Sequence, residues 1–160
     1  MWNLRRLLPL TLIAAASTQA LAAQRNVMTL IGATSASGGL CDETPACSYS
    51  KVHAAPGETL TLFANTIGAP FLVFASPSPA SPCASIPGVA GSLVLGPPVL
   101  FAMELRAQGR LHDAHCVTWF ASQQIQVPPL VPRGSRLYLQ GLVQVVSSWT
   151  LTNAIELAIL

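Results

Sequence analysis

The last part of the chain, residues 133–160, most constrains the fold because apolar and polar residues alternate along it. The odd positions include Leu137, Leu139, Gly141, Val143 and Val145, and the even positions include Tyr138, Gln140 and Gln144. The final run repeats the pattern, with Ile155, Leu157 and Ile159 set against Ala154, Glu156 and Ala158. Because strand side chains point alternately to two faces, we predict two strands, each with one face in the core and one in solvent. An isolated hairpin is marginal in water, so the rest of the chain must supply a sheet.

Residues 1–23 have the pattern of a secretory signal peptide. Arg5 and Arg6 precede an apolar run of about ten residues, and Ala20-Leu21-Ala22 offers the small residues of a cleavage site. The run is too short for a permanent membrane span. The paired arginines suggest a twin-arginine signal as an alternative, but Leu8 and Pro9 fit that pattern poorly. We therefore expect a secreted, periplasmic or extracellular protein with a single domain at 24–160.

Cleavage of this segment changes the charge balance. The chain has eight Lys and Arg residues and six Asp and Glu residues, for a net charge of +2. Loss of Arg5 and Arg6 leaves six basic and six acidic residues. A mature surface with no net charge is atypical of nucleic-acid or anionic-membrane binding, so we predict neither partner and no stable membrane span.

An even number of cysteines in an exported chain predicts disulfide bonds. These are Cys41, Cys47, Cys83 and Cys116, for which three connectivities are possible. One of the three pairs Cys41 with Cys47 around a short loop and leaves Cys83 with Cys116. In the chain-entropy model the longer loop would contribute roughly 3 to 4 kcal/mol and the shorter about 2 kcal/mol. These bonds would add to a core that a domain of this length can already form.

The rest of the chain contains short alternating or apolar runs between Pro and Gly turns. Predicted strands cover residues 26–33, 48–54, 58–65, 71–75, 91–95, 99–107, 116–120 and 123–127, the last two forming one bent strand in an alternative interpretation. No helical stripe follows the signal peptide. The fold we expect is all-β, an antiparallel β-sandwich of about eight to ten short strands.

Two proline- or glycine-containing stretches predict connections. Residues 76–82 have a linker-like composition, but neither side could bury a convincing core alone, so we expect a long surface loop held by Cys83. Residues 108–110 predict a turn. We expect the larger aromatic residues to lie in the core or at its rim: Phe63, Phe71, Phe74, Phe101, Trp119 and Tyr138. The acids on predicted strands should face solvent: Glu58, Glu104 and Glu156.

Several short motifs resemble a C-terminal module of bacterial secreted proteins whose function is unknown. They are Pro56-Gly57 before a Leu-Thr-Leu strand, Ile125-Gln-Val-Pro128, Leu137-Tyr-Leu-Gln140 and Thr152-Asn-Ala154. The resemblance covers about two thirds of the mature chain. It implies an extracytoplasmic β-sandwich and brings no catalytic residues with it.

The densest group of reactive side chains is His112-Asp113-Ala114-His115-Cys116. His112 and His115 are candidate metal ligands, but no second ligand pair has regular spacing and Cys116 has a competing use in a disulfide. Serines, histidines and acids could also form a hydrolase triad, but the chain lacks a Gly-x-Ser-x-Gly elbow. We therefore predict no metal, no cofactor and no enzymatic activity.

Trp149 is the candidate binding residue, because it lies in the predicted turn before the last strand and could offer a platform to a sugar ring. The alternative is that Trp149 caps the end of the sandwich. We expect a structural or interaction module whose partner is a protein or glycan at the cell surface. The second hypothesis is a carbohydrate- or small-ligand-binding domain that uses Trp149 and the 41–47 loop. On either hypothesis Gln140 and Asn153 should be structural, with their amides tied to backbone groups near a sheet edge.

Overall fold

A computed structural model describes residues 24–25, 28–37, 43–44, 47–65, 69–112, 117–145 and 147–160, where every regular element is a β-strand. The strands are β1 (Gln24–Arg25), β2 (Met28–Ile31), β3 (Glu43–Thr44), β4 (Tyr49–Ala54), β5 (Thr59–Asn65), β6 (Phe71–Ser76), β7 (Pro79–Ala84), β8 (Val89–Ala90), β9 (Leu93–Leu95), β10 (Leu100–Leu105), β11 (Gly109–His112), β12 (Val117–Gln126), β13 (Arg136–Val145) and β14 (Ser148–Ile159). The predicted signal peptide, residues 1–23, lies outside this set. Within the set, no helix could cross a membrane.

Two sheets form the sandwich and confirm the predicted fold class. The large sheet has the order β10-β6-β13-β14-β4, with β8 also pairing with β14, and the small sheet has the order β11-β12-β5-β2. Most pairs are antiparallel, but β14 pairs in parallel with both β4 and β8. The large sheet is therefore mixed. Two further short pairs, β1-β3 and β7-β9, accompany the main sheets.

The core lies between the two sheets and draws on nearly every strand. The small sheet contributes Met28, Leu30, Leu60, Leu62, Ala64 and Ala121, and the large sheet contributes Val52, Ala54, Phe71, Val73, Ala75, Leu105, Leu139, Val143, Ile155, Leu157 and Ile159. Most of these residues alternate along their strands, as expected for faces that pack against each other. Burial of each of the larger side chains in this list, the Val, Leu, Ile, Met and Phe residues, stabilises the fold by about 1.5 to 3 kcal/mol.

The C-terminal hairpin is confirmed. β13 and β14 pair from Arg136↔Ala158 to Val145↔Ser148, and a bulge between Gln140 and Leu142 inserts an extra residue into β14. The expectation that one face of the hairpin meets solvent holds at Gln144 but is wrong at Tyr138 and Gln140, which are 3% and 1% exposed. Contacts above the sheet account for this burial, since Gln140 binds the backbone of Ser92 and Val94 and Tyr138 packs against Tyr49.

Residues 77–99, which we call the cover segment, provide part of this covering. The expectation of a surface loop at 76–82 is wrong, because Pro79–Ala84 is strand β7 and pairs with β9. β8 pairs with β14, and Val94 and Leu95 are buried. The prolines of β7 are tolerated because this short ribbon is not part of either main sheet.

Strands β11 and β12, at the other end of the small sheet, decide two further points left by the sequence. The predicted turn at 108–110 overlaps β11, which starts at Gly109 and pairs with β12. Of the two interpretations of 116–127, the single strand is confirmed: β12 pairs with β5 over seven consecutive residues. The continuous ladder to β5 explains why Ala121 and Ser122 do not interrupt the strand.

A disulfide joins Cys47 to Cys83 and thereby ties the cover segment to the residues before β4. Of the three connectivities left open by the sequence, the one that pairs Cys41 with Cys47 is therefore wrong. The Cys41–Cys47 pairing would close a loop within one short segment, whereas the observed bond joins cysteines that are 36 residues apart. Cys41 and Cys116 lie outside the described residues.

Peptide mapping of the oxidised protein should recover the Cys47–Cys83 bond. Cleavage after Arg, Lys and Glu under non-reducing conditions separates Cys41 from Cys47, because Glu43 lies between them. We expect peptide 44–51 linked to peptide 59–104, and the remaining connectivity then links peptide 26–43 to peptide 111–133. A link between 26–43 and 44–51 would contradict the structure.

Glu58 fixes the turn before β5 by accepting two backbone hydrogen bonds. Its Oε1 accepts from the Ala33 amide at 2.7 Å, and its Oε2 accepts from the Ala55 amide at 2.8 Å. A Cβ at residue 32 would lie 2.7 Å from Glu58 Oε1, so a side chain there would have to displace the carboxylate. The bonds from Ala55 and then Ala33 lower the pKa of Glu58, because they stabilise the charged form.

The lowered pKa of Glu58 predicts a pH-dependent contribution to stability. Its contribution is present above the ordinary value of 4.5 and is lost as the pH falls through the lower folded-state value. Urea unfolding should show Glu58→Gln less stable than wild type at pH 7, with the difference shrinking below pH 4.5. Glu104→Gln, at an exposed carboxylate, serves as the control. A Glu58→Gln difference that stays constant down to acid unfolding would contradict this role.

Candidate functional site

Asn153 joins the two sheets along one side of the sandwich. Its Oδ1 accepts a hydrogen bond from the Met28 amide at 3.1 Å, and its Nδ2 donates to the Met28 carbonyl at 2.8 Å. Asn153 belongs to β14 in the large sheet, while Met28 belongs to β2 at the edge of the small sheet. One side-chain amide therefore satisfies both backbone groups that a further strand would otherwise bind. The predicted structural role of Asn153 is confirmed.

Two serines occupy other edge positions on this side. Ser37 accepts from the Leu30 amide through its hydroxyl at 2.8 Å and donates its own amide to the Leu30 carbonyl at 3.1 Å. Ser35 accepts from the His53 amide at 2.8 Å and donates to the His53 carbonyl at 2.9 Å. The edges of β2 and β4 are thus bound by side chains, and we call this the closed side of the sandwich.

Strand β10 ends the large sheet on the other side and has a different surface. It pairs only with β6, and in the described part of the chain its outer edge has no strand or side-chain partner. Val99, Leu100 and Phe101 are 42%, 59% and 60% exposed. Phe101 was expected in the core or at its rim, but its ring is exposed and packs edge-on against Phe74. We call β10 the open edge.

Gln140 attaches the cover segment to the large sheet. Its Oε1 accepts from the Val94 amide at 2.9 Å, and its Nε2 donates to the carbonyls of Ser92 at 2.7 Å and Thr152 at 2.9 Å. The side chain is 1% exposed, and its bonds to Val94 and Thr152 are buried. The predicted structural role of Gln140 is confirmed, although its partners are a strand neighbour and a distant segment.

Glu156 is a buried carboxylate between two cations on the outer face of the large sheet. Arg136 Nε lies 3.5 Å from its Oε1, and Lys51 Nζ lies 3.8 Å from its Oε2. The Glu156 side chain is 2% exposed, whereas those of Lys51 and Arg136 are 58% and 61% exposed. The expectation that Glu156 faces solvent is wrong, because β14 lies between β13 and β4 and their longer side chains cover it.

Aromatic side chains adjoin this charged group. The ring of Tyr138 packs edge-on against Tyr49 at 5.4 Å between centroids, and Tyr49 stays 36% exposed. A hydrogen bond with the Tyr138 side chain, followed by the charge of Glu156, raises the pKa of Arg136. Its guanidinium therefore stays charged. Tyr49, Lys51, Arg136, Tyr138 and Glu156 form what we call the outer-face cluster.

Trp149 lies apart from this cluster. It is the second residue of β14, is 37% exposed and pairs with Gln144 and Val89. Tyr49 pairs with Ala154, five residues further along β14. The structure therefore does not bring Trp149 together with the half-exposed tyrosine and the cations.

The structure describes only some of the other candidate residues from the sequence. The side chain of His112 and the whole of His115 lie outside the described residues. Among the residues that are described, no group of three or more His, Cys, Asp or Glu side chains could hold a metal ion. Trp119 is 38% exposed, and the guanidinium of Arg110 lies 4.6 Å from its ring centroid.

Sequence reasoning missed the outer-face cluster because its members are distant in the chain. Tyr49 and Lys51 belong to β4, while Arg136, Tyr138 and Glu156 belong to the C-terminal hairpin. Tyr49 and Lys51 alternate with the buried Val52, which indicates a strand with an outer face. Only the parallel β4-β14 pairing shows that Glu156 lies on the same face as Tyr49 and Lys51. No protein-family model and no curated protein matches the chain.

Proposed function

We propose that the protein is a non-enzymatic structural or interaction module that acts outside the cytoplasm and binds another polypeptide through the open edge. The segment at 1–23 supports export, and the Cys47–Cys83 disulfide is compatible with an oxidising compartment. The buried amides of Gln140 and Asn153 bind backbone groups, which supports a structural use for these polar residues.

The open edge is the observation that carries the proposal. An unpaired strand edge presents alternating backbone donors and acceptors, which an extended segment of a partner can bind as an added strand. Val99, Leu100 and Phe101 place apolar surface at the start of this edge. Near its end, Glu104 and Arg106 neutralise each other at 2.8 Å. An uncharged, apolar partner strand fits this surface.

Site-specific photo-crosslinking tests the proposal in the cells that make the protein. A photoreactive residue at position 101 should form an adduct with one polypeptide, and Leu100→Lys should weaken that adduct. A probe at Leu130, which is 92% exposed on a loop, is the matched control. An adduct of twice the chain mass would identify a second copy as the partner. Equal labelling at 101 and 130, or none at 101, would contradict the proposal.

Glycan or small-ligand binding is the second candidate function. The outer-face cluster favours it, since it combines a half-exposed aromatic ring with two partly exposed cations. Recognition sites for sugars commonly use an aromatic face together with a few polar groups. Trp149 is a separate candidate contact, and its replacement by Ala would show whether binding depends on it.

A further inference from the structure

The outer-face cluster has a regular layout that follows from strand register. Across β13, β14 and β4, one row is Tyr138, Glu156 and Lys51, and the next is Arg136, Ala158 and His53. Directly paired residues lie on the same face of a sheet. The middle strand therefore carries the buried acid and, beside it, a small alanine, while the flanking strands carry the long cationic side chains.

The charges of this cluster do not cancel. Glu156 contributes one negative charge, and Lys51 and Arg136 contribute two positive charges, at 3.8 and 3.5 Å from its carboxylate oxygens. Glu156 Oε2 is buried and accepts no hydrogen bond from any residue that the structure describes, and Lys51 Nζ at 3.8 Å is too distant for one. The two cations therefore lie on either side of one carboxylate, and the Tyr138 side chain also contacts Arg136. Each cation remains more than half exposed and can contact a ligand in solvent.

We propose that the outer-face cluster binds a carboxylate-bearing sugar, such as a uronic acid unit of an acidic polysaccharide. Lys51 and Arg136 would bind the carboxylate, since the excess positive charge is complementary to an anion and Arg matches carboxylate geometry. Tyr49 would pack against the apolar face of the sugar ring, and its edge-on contact with Tyr138 fixes its orientation. This inference rests on the second candidate function and is independent of the open edge.

Calorimetric titration of the full mature chain with tetragalacturonate tests the inference, with maltotetraose as the neutral oligosaccharide. We expect binding of the acidic oligosaccharide at low salt, weakened by added salt, and at least tenfold weaker binding of the neutral one. Lys51→Gln combined with Arg136→Gln should weaken binding at least tenfold. Arg133→Gln, which removes an exposed arginine outside the cluster, should leave it unchanged. Tyr49→Ala should weaken binding of the sugar but not of acetate.

Glu156→Gln separates the proposed role of the cations from their contribution to folding. It removes the competing carboxylate without changing its size, so the affinity for tetragalacturonate should rise several-fold. The triple variant Lys51→Gln, Arg136→Gln, Glu156→Gln leaves no unpaired buried charge, and its binding should be lost while melting remains cooperative. Unchanged or weaker binding by Glu156→Gln would overturn the inference.

Two other outcomes separate this inference from the function on which it rests. Equal binding of maltotetraose and tetragalacturonate would overturn the acidic-sugar inference and leave glycan binding standing. No heat with either oligosaccharide, from wild-type protein with a cooperative melting transition, would overturn both. Neither result bears on the crosslinking experiment at position 101.

Discussion

Replacing Gly141 by Ala should destabilise the protein by about 3 kcal/mol or more, a typical upper cost of inserting atoms into a packed core. A Cβ at this position would overlap the ring of Phe71, which is fully buried, and would lie 2.9 Å from Thr152 Oγ1. That hydroxyl also accepts a hydrogen bond from the Gly141 amide, so it cannot move away without breaking this bond. Equilibrium urea unfolding measures the loss. The result would set Gly141 apart from ordinary strand glycines, where alanine is usually favourable.

A double-mutant cycle identifies the clash as the cause. Phe71→Leu creates space where the new methyl group would lie, so the cost of Gly141→Ala should fall by at least about 1 kcal/mol in that background. Gly134→Ala is not a matched control for Gly141→Ala, because Gly134 has φ of +82° and an alanine there introduces backbone strain of its own. Equal costs of Gly141→Ala in both backgrounds would contradict the proposed overlap.

Replacing Asn153 by Ala should cost about 2 to 4 kcal/mol, because it leaves a buried amide and a buried carbonyl of Met28 without their partners. Asn153 is 2% exposed, so water does not readily replace the lost bonds. Equilibrium urea unfolding measures the loss of unfolding free energy, and amide hydrogen exchange shows which part of the sandwich is weakened. The Met28 amide should lose its protection before amides in the centre of β13 do.

Gln144→Ala provides the matched control for Asn153. Gln144 also carries a primary amide in the C-terminal hairpin, but its side chain is exposed. Its replacement should change the free energy of unfolding by less than about 0.5 kcal/mol. Equal costs of the two substitutions would show that the bonds to Met28 add little to the stability of the sandwich.

Much of the fold could be predicted because it depends on short-range periodicity. The alternation from Leu137 to Ile159 predicts both C-terminal strands, and their core residues Leu139 and Ile155 are buried as expected. The amide side chains in the same hairpin could be assigned structural roles, since polar side chains within apolar strands need hydrogen-bonded partners. Gln140 and Asn153 both have them.

The remaining features depend on pairings between distant segments. The burial of Glu156 and Tyr138 follows from side chains on flanking strands, and no local pattern encodes those neighbours. Likewise, Phe101 has the alternating context of a core residue, but its strand lies at the edge of the sheet. The Cys47–Cys83 bond depends on the path of the cover segment. Composition also misassigned β7, because its prolines and serines are typical of loops.

The central claim is that one side of the sandwich is closed by side chains whereas the opposite edge, β10, is open. Residue-resolved amide hydrogen exchange of the dilute, monomeric protein tests this claim most directly. We predict strong protection of the Met28, Leu30 and His53 amides, which bond to Asn153, Ser37 and Ser35, and rapid exchange of the β10 amides that do not bond to β6. Exchange of Met28, Leu30 and His53 as fast as these β10 amides would contradict the account.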